Sequence, residues 1–317
     1  MSSLVLSLDF ELFWGVSNSR KLSDYRQNVE GVWIAIPKML ALFRKYDIHA
    51  TWATVGMVMC RNHKQWREIR PTLMPGYLRQ ECSNYSLDSV SRENPSIFFA
   101  RPLVEQILET PGQELATHTY SHFYCGEDGA SPAQFAADLE CAKAIGEDVG
   151  IVFRSLVFPR NQVLSKYIPV AAAAGLQVYR GNSDHWLYRQ GHTVPGGVAG
   201  RAIRYTDSLL PLTGAQAQQV INNKEILNVP ASLFLRPWSR SLQLLEPLRL
   251  ARLKAAMTHA ARNNKICHLW WHPHNFGLNI DQNLSVLTEL LKHYRILKDQ
   301  YGMQSVAMGC FAETAGA

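Results

Sequence analysis

The sequence predicts an α/β fold, a closed or nearly closed (β/α) barrel, on three observations. Short apolar runs rich in β-branched and aromatic residues alternate with longer stretches of helical period. Roughly seven such βα units follow one another with no break in composition. The residues able to do chemistry, Asp9, Glu11, His118, Arg160 and His272, fall at or just past strand C-terminal ends, the rim where such barrels carry their sites.

Taken in order, Leu4–Phe10 reads as the first strand, Val32–Tyr46 as an amphipathic helix and Ile48–Val55 as a second strand, followed by a helix over Met57–Ile69. The polar stretch 71–95, punctuated by Pro, Asn and Ser, is expected to be a loop insertion. A helix at Arg101–Leu108 leads to a strand at Glu114–Thr117. Ser131 and Pro132 form an N-cap and first-turn pair opening a helix to Glu147. Strands follow at Phe153–Phe158 and Leu176–Tyr179, with a helix at Ser165–Ala174 between them. The Gly-rich and aromatic stretch 180–207 has no clear period and is expected to be a second insertion. Strands at Ile226–Val229, Ile266–Trp271 and Ser305–Met308, with helices at Pro247–Asn263 and Leu284–Asp299, complete a chain expected to form one catalytic domain over residues 1–317.

Composition removes several function classes. The net charge of +6 comes from scattered Lys and Arg, not a run, so no nucleic-acid surface is expected. No apolar stretch is long enough for a membrane span, although contact with a membrane surface stays open. The first residues show no basic segment followed by an apolar one, which argues against export. Cys60, Cys82, Cys125, Cys141, Cys267 and Cys310 are dispersed and form no CxxC pair, as expected of reduced thiols in a cytoplasmic protein.

Three clusters carry chemistry. In His118-Thr119-Tyr120-Ser121-His122, two imidazoles four apart share one face if the segment forms a helical turn, about 5–6 Å apart at Cβ, and can reach one ion. Such pairs arise by chance on solvated helices, but this one directly follows a strand. In Asp9-Phe10-Glu11, period two sends both acids to one face, where their repulsion calls for a cation. In His268-Leu269-Trp270-Trp271-His272-Pro273-His274, a strand-end histidine is placed to protonate a leaving amine. Together they point to a His₂-carboxylate hydrolytic metal site, with zinc first and cobalt, nickel or manganese as alternatives.

These blocks, with Ala50-Thr51-Trp52-Ala53-Thr54-Val55-Gly56 and Phe158-Pro159-Arg160, follow one another as in the polysaccharide deacetylases of the NodB-homology type, which this chain resembles over most of its length. The resemblance implies a distorted (β/α)₇ barrel holding one divalent ion, Asp9 as catalytic base, Glu11, His118 and His122 as metal ligands, His272 as general acid and Arg160 as the arginine orienting the base. Members with adjacent aspartates differ here, because Phe10 separates Asp9 from Glu11 in a D-x-E arrangement. Asp184 and Trp186 are the counterpart of an Asp/Trp pocket motif, and no role is assigned to His274. Trp14, Tyr120, Phe123, Trp186, Trp271 and Phe276 are candidates either for stacking on sugar or for packing.

The implied reaction removes an acetyl or formyl group from an amino sugar, expected to be a nucleotide- or lipid-linked precursor of surface polysaccharide. Two readings compete with it. One is hydrolysis of a small non-sugar amide, ureide or imide; the other is an inactive carbohydrate-binding protein on the same fold.

Overall fold

A computed structural model describes residues 1–315 apart from 186 and 189–196. Its ten strands join in one sheet: β1 Ser3–Phe10, β2 Ala50–Thr54, β3 Gln113–Thr117, β4 Ser155–Val157, β5 Val178–Arg180, β6 Ile221–Asn222, β7 Leu227–Asn228, β8 Leu233–Phe234, β9 Ile266–Trp271 and β10 Gln304–Ser305. The order is β6-β7-β5-β4-β3-β2-β1-β9-β8, parallel except for β6 against β7. β10 pairs with β1 at Ser3 and Leu4, below the point where β2 joins at Leu6.

The segment 227–235 brings the two ends of this order together. The amide of Val229 donates to Tyr179 O and that of Ala231 to Gly181 O, continuing the β5 ladder. The amide of Ser232 then donates to His268 O and that of Leu235 to Trp270 O, on β9. Pro230, with no N–H to place, lies just ahead of the changeover between Ala231 and Ser232. One nearly continuous extended segment thus bridges β5 and β9, and the circle closes with seven staves, the distorted (β/α)₇ barrel predicted.

Seven strands leave a narrow interior, and the sequence fills it in layers. Val5, Ala53, Ala116, Val157, Val178, Val229 and Ile266 pack together with Met308 as a small-residue layer. Beneath it the buried Thr51 and Ser155 hydroxyls and the Gly309 amide all donate to Glu114. Continuing β1 with period two, the next inward positions after Val5 are Ser7 and Asp9, so the layer toward the strand C-termini is polar.

Outside, the helix Val32–Tyr46 buries Val32, Ala35, Ile36, Met39, Leu40, Phe43 and Tyr46, the three- and four-residue spacing read from sequence. The helix Pro132–Asp148 opens with a complete capping box between Ser131 and Gln134. Where a helix over Met57–Ile69 was expected, the chain forms a 3₁₀ turn at Gly56–Met59 and a separate helix at His63–Glu68, capped by Asn62. The stretch 71–95 is not a bare loop. It contains short helical turns at Gln80–Cys82, Asn84–Leu87 and Asp88–Glu93, and the Asn84 amide ties it to the site by donating to Trp14 O and Ser121 O. Within 180–207 the chain forms a helix at Gly197–Asp207, so that stretch is also only partly loop. Among the described residues no helix is long and apolar enough to cross a membrane.

Candidate metal centre

Glu11 follows the last residue of β1 and is buried with Asp9 at the barrel mouth. His118 follows β3 directly, and His122 lies four residues on. The segment between them does not form a helical turn. Thr119 and His122 both take left-handed backbone conformations, with φ of 62° and 57°. For a β-branched residue such as Thr119 that conformation is costly and needs support.

The support is visible. The Thr119 amide donates to Thr117 Oγ1, and Thr119 Oγ1 accepts from the Phe123 amide at 2.7 Å. Buried Asp138, on the helix Pro132–Asp148, accepts from the Tyr120 amide at 2.6 Å, the Ser121 amide at 3.1 Å and the Ser121 hydroxyl. Burial pushes the Asp138 carboxyl up to about 6, with the Ser121 hydroxyl and these amides opposing the shift.

This loop brings both imidazoles to one carboxylate. His118 Nε2 and His122 Nε2 lie 3.5 and 3.0 Å from Glu11 Oε2. His118 Nδ1 is 2.7 Å from Val157 O, which can only accept, so Nδ1 carries the proton and a neutral His118 turns its Nε2 lone pair toward a carboxylate. Two acceptors face each other, and a cation resolves the conflict. His122 Nδ1 is likewise held, by Tyr124 Oη at 3.1 Å. One ligand atom from each of Glu11, His118 and His122 lies within 4.8 Å of the others, and all three residues are buried, so the donor set fits a divalent cation. Burial pushes the Glu11 carboxyl up, but His272 and His122 outweigh it and hold it well below its usual range.

Beside this set stands the second carboxylate. Arg180, at the end of β5 and fully buried, grips Asp9 with Nη1 on Oδ1 at 2.7 Å and Nη2 on Oδ2 at 2.8 Å. The same guanidinium donates to Ser7 Oγ and Asn161 Oδ1, each at 2.9 Å, and lies over the Trp270 ring. Burial raises the Asp9 carboxyl, and the Arg180 guanidinium above all offsets it, keeping Asp9 below its ordinary value. Asp9 therefore stays ionised in a dry setting.

Arg160 does not reach Asp9, correcting the sequence expectation for the arginine that orients this carboxylate. After Pro159, Arg160 and Asn161 both adopt positive φ, 55° and 52°. Arg160 runs along the outer rim to Glu127 and Asn18 and stacks over Tyr124, while Asn161 accepts from Arg180. Arg180 had a signal of its own, since it ends a strand and shares the inward phase of Val178.

His272 Nε2 lies 3.8 Å from Asp9 Oδ2 and 3.7 Å from Glu11 Oε1, with its ring 23% exposed. His274 stacks on His272, its Nε2 3.9 Å from Glu11 Oε1. Burial pushes His274 down to about 3, assisted by His272, so it is a neutral ring. His268 is also fully buried and driven down to about 3, and it ties Ser7 to Val229 O inside the barrel. Gly31 and Gly277 let the His272–His274 turn dock against the chain ahead of Val32. A Cβ on Gly31 would meet Gly277 O at 2.0 Å.

Trp14, Tyr120, Phe123, Trp271 and Phe276 are all buried, so these aromatics pack and offer no face to a ligand. Trp186 lies outside the described residues, and Asp184 is exposed near the start of that region.

Residues 34–179 match the family model described as polysaccharide deacetylase, so the resemblance read from the motifs is borne out there. The match begins after Asp9 and Glu11 and ends just short of Arg180. A comparison with curated proteins gave no match. Among solved structures, a candidate polysaccharide deacetylase from Mycobacterium smegmatis is 12% identical with a TM-score of 0.58, covering 99% of this chain and 90% of its own. A probable polysaccharide deacetylase from Pseudomonas aeruginosa PAO1 is 12% identical at a TM-score of 0.55, covering 98% of this chain and 89% of that one. The Puue allantoinase structure is 12% identical at 0.54, covering 98% and 88%. These likenesses show the fold. The family matched over residues 34–179 is a class of hydrolases that act on carbon–nitrogen bonds other than peptide bonds.

Proposed function

We propose that the whole chain works as one catalytic barrel, a metal-dependent amide hydrolase that removes an acetyl or formyl group from the nitrogen of an amino sugar. The observation carrying this reading is the convergence of Glu11, His118 and His122 beside an ionised, arginine-held Asp9. A divalent ion held by those three residues, zinc by the chemistry of its donors, supplies Lewis-acid polarisation of the acyl carbonyl and lowers the pKa of water.

The remaining work falls to the chain. Asp9 accepts the proton of the attacking water, and Arg180 fixes both of its oxygens so that only a narrow range of approach is open. Arg180 is a positioning residue, held in turn by Ser7 and Asn161. His272, the more exposed of the two site histidines on that turn, gives a proton to the departing amine as the carbon–nitrogen bond breaks. A free amine and a small carboxylate leave. Six unpaired cysteines suit a reducing compartment and thus a biosynthetic precursor as substrate.

The test is release of acetate or formate from N-acetyl and N-formyl amino sugars by zinc-loaded protein, run beside small imides and ureides. Acyl release from a sugar, lost in Asp9→Asn while the ion is retained, is the expected result. Turnover of the imides alone would replace the sugar assignment, and an Asp9→Asn variant with wild-type turnover would remove the base assignment.

A further inference from the structure

Next to the Asp9–Arg180 pair the barrel mouth opens into a cleft of about 400 Å³. Among the described residues its wall includes three arginines, Arg160, Arg204 and Arg236, and no Asp or Glu. Arg160 is partly neutralised by Glu127, 3.3 Å away. Among the described residues, Arg204 and Arg236 form no ion pair with a carboxylate, and the undescribed positions 186 and 189–196 contain no acid in their sequence.

Arg236 is the more informative of the two. It is partly buried, its Nη2 donates to Arg204 O at 3.4 Å, and its guanidinium lies 5.6 Å from the Tyr205 ring and 5.9 Å from that of Phe234. Burial lowers its pKa, with Arg249 and Arg204 adding to the effect. Aromatic contacts orient such a cation without neutralising it, and removing a charge from water without a counter-ion is costly. Two such guanidiniums sharing an acid-free cleft suit an anion of about two charges, which their planar forks bind through paired hydrogen bonds.

The cleft is joined to the reaction centre. Asn161 lines it and accepts from Arg180, and Trp270 lines it beneath the Arg180 guanidinium, 5.7 Å from the His272 ring. Phe234 extends the same aromatic ledge. A group bound there belongs to the molecule whose amide lies at Glu11 and Asp9.

We infer that this cleft binds the diphosphate or phosphate of a glycosyl-phosphate substrate, with Arg204 and Arg236 as its principal ligands. The inference rests on the hydrolase reading for the sugar end and on the arginine cleft for the phosphate end. The shared chemistry is a phosphoanion attached to the acylated sugar, whether the other end is a nucleoside or a lipid.

The experiment is calorimetric titration of the full chain with three probes: inorganic pyrophosphate, uridine diphosphate N-acetylglucosamine, and phosphatidylcholine vesicles with and without a polyprenyl phosphate. Each is repeated with His118→Ala, so that coordination to an ion at the metal centre cannot be mistaken for the cleft. Saturable binding of pyrophosphate, weakened by salt and by at least about tenfold in Arg204→Gln/Arg236→Gln, is the expected result. Arg236→Lys, which keeps the charge but not the planar fork, should bind more weakly than the wild type and more tightly than Arg236→Gln, and unchanged melting temperatures show that the variants fold. Tighter binding of the nucleotide sugar or of the phosphate-bearing vesicles supports the inference and identifies the source. Absence of binding to every probe, or equal binding by wild type and the double variant, overturns it. Metal content and acyl release by the wild type are read separately, so a chain that binds pyrophosphate but holds no ion would sink the hydrolase reading and leave the cleft standing.

Discussion

Asp138 makes no contact with Glu11 in the network described above, yet the centre depends on it. Replacing it with Ala leaves the Tyr120 amide, the Ser121 amide and the Ser121 hydroxyl without their acceptor. A buried donor left unpaired costs about 1–3 kcal/mol, so the gross loss is about 5 kcal/mol. Part of it is returned, because the wild-type carboxyl, pushed up to about 6, is ionised at neutral pH against the preference of its surroundings. The net loss of stability is then about 2–4 kcal/mol, a fall in melting temperature of about 3–6 °C for a chain of this length. The larger effect is on the ion. Thr119 and His122 hold left-handed conformations that cost about 1–3 kcal/mol each, and a loop freed from Asp138 relaxes away from them. Zinc affinity, measured by competition with a chromogenic chelator, should fall by about 10- to 100-fold, as for other residues that orient metal ligands. A folded Asp138→Ala protein with wild-type zinc affinity would refute the claim that this carboxylate sets the histidine loop.

Other substitutions separate roles within the site. Arg180→Gln should lower kcat strongly, whereas Arg160→Gln should change it little, since only Arg180 touches Asp9. The pH profile gives the sign: burial raises the Asp9 carboxyl and Arg180 is the largest opposing influence. Its removal should therefore move the acidic limb of kcat/KM to higher pH, because the base must be ionised to act; a limb that stays put would remove Arg180 from that task. His272→Asn should reduce kcat by about 10²- to 10⁴-fold with the ion still bound, and loss of the ion instead would make His272 a ligand. Gly31→Ala places a methyl 2.0 Å from Gly277 O and should destabilise the fold by about 1–3 kcal/mol, read as a lower urea midpoint.

Much of this was legible in the sequence, for physical reasons that also explain what was not. Buried parallel strands read as near-continuous apolar runs, so β1 and β9 stood out, and with them the strand ends bearing Asp9, Glu11 and His272. The histidine pair was visible as spacing, but its conformation was not. Four-residue spacing suggests a helical turn, and only the tertiary hydrogen bonds of Asp138 reveal a strained loop. The closing segment 227–235 showed only its first half, because Pro230 and Ser232 interrupt the apolar run where the chain changes partners. Arg160 and Arg180 both stand just past apolar runs in the sequence, and the positive φ values that turn Arg160 outward have no sequence mark.

The most direct test of the metal centre is the metal content of purified protein, wild type beside His118→Ala, after incubation with zinc. About one divalent ion per chain in the wild type, absent from the variant, is the predicted result. An ion-free wild type, or a variant that keeps its ion, would contradict the site built from Glu11, His118 and His122.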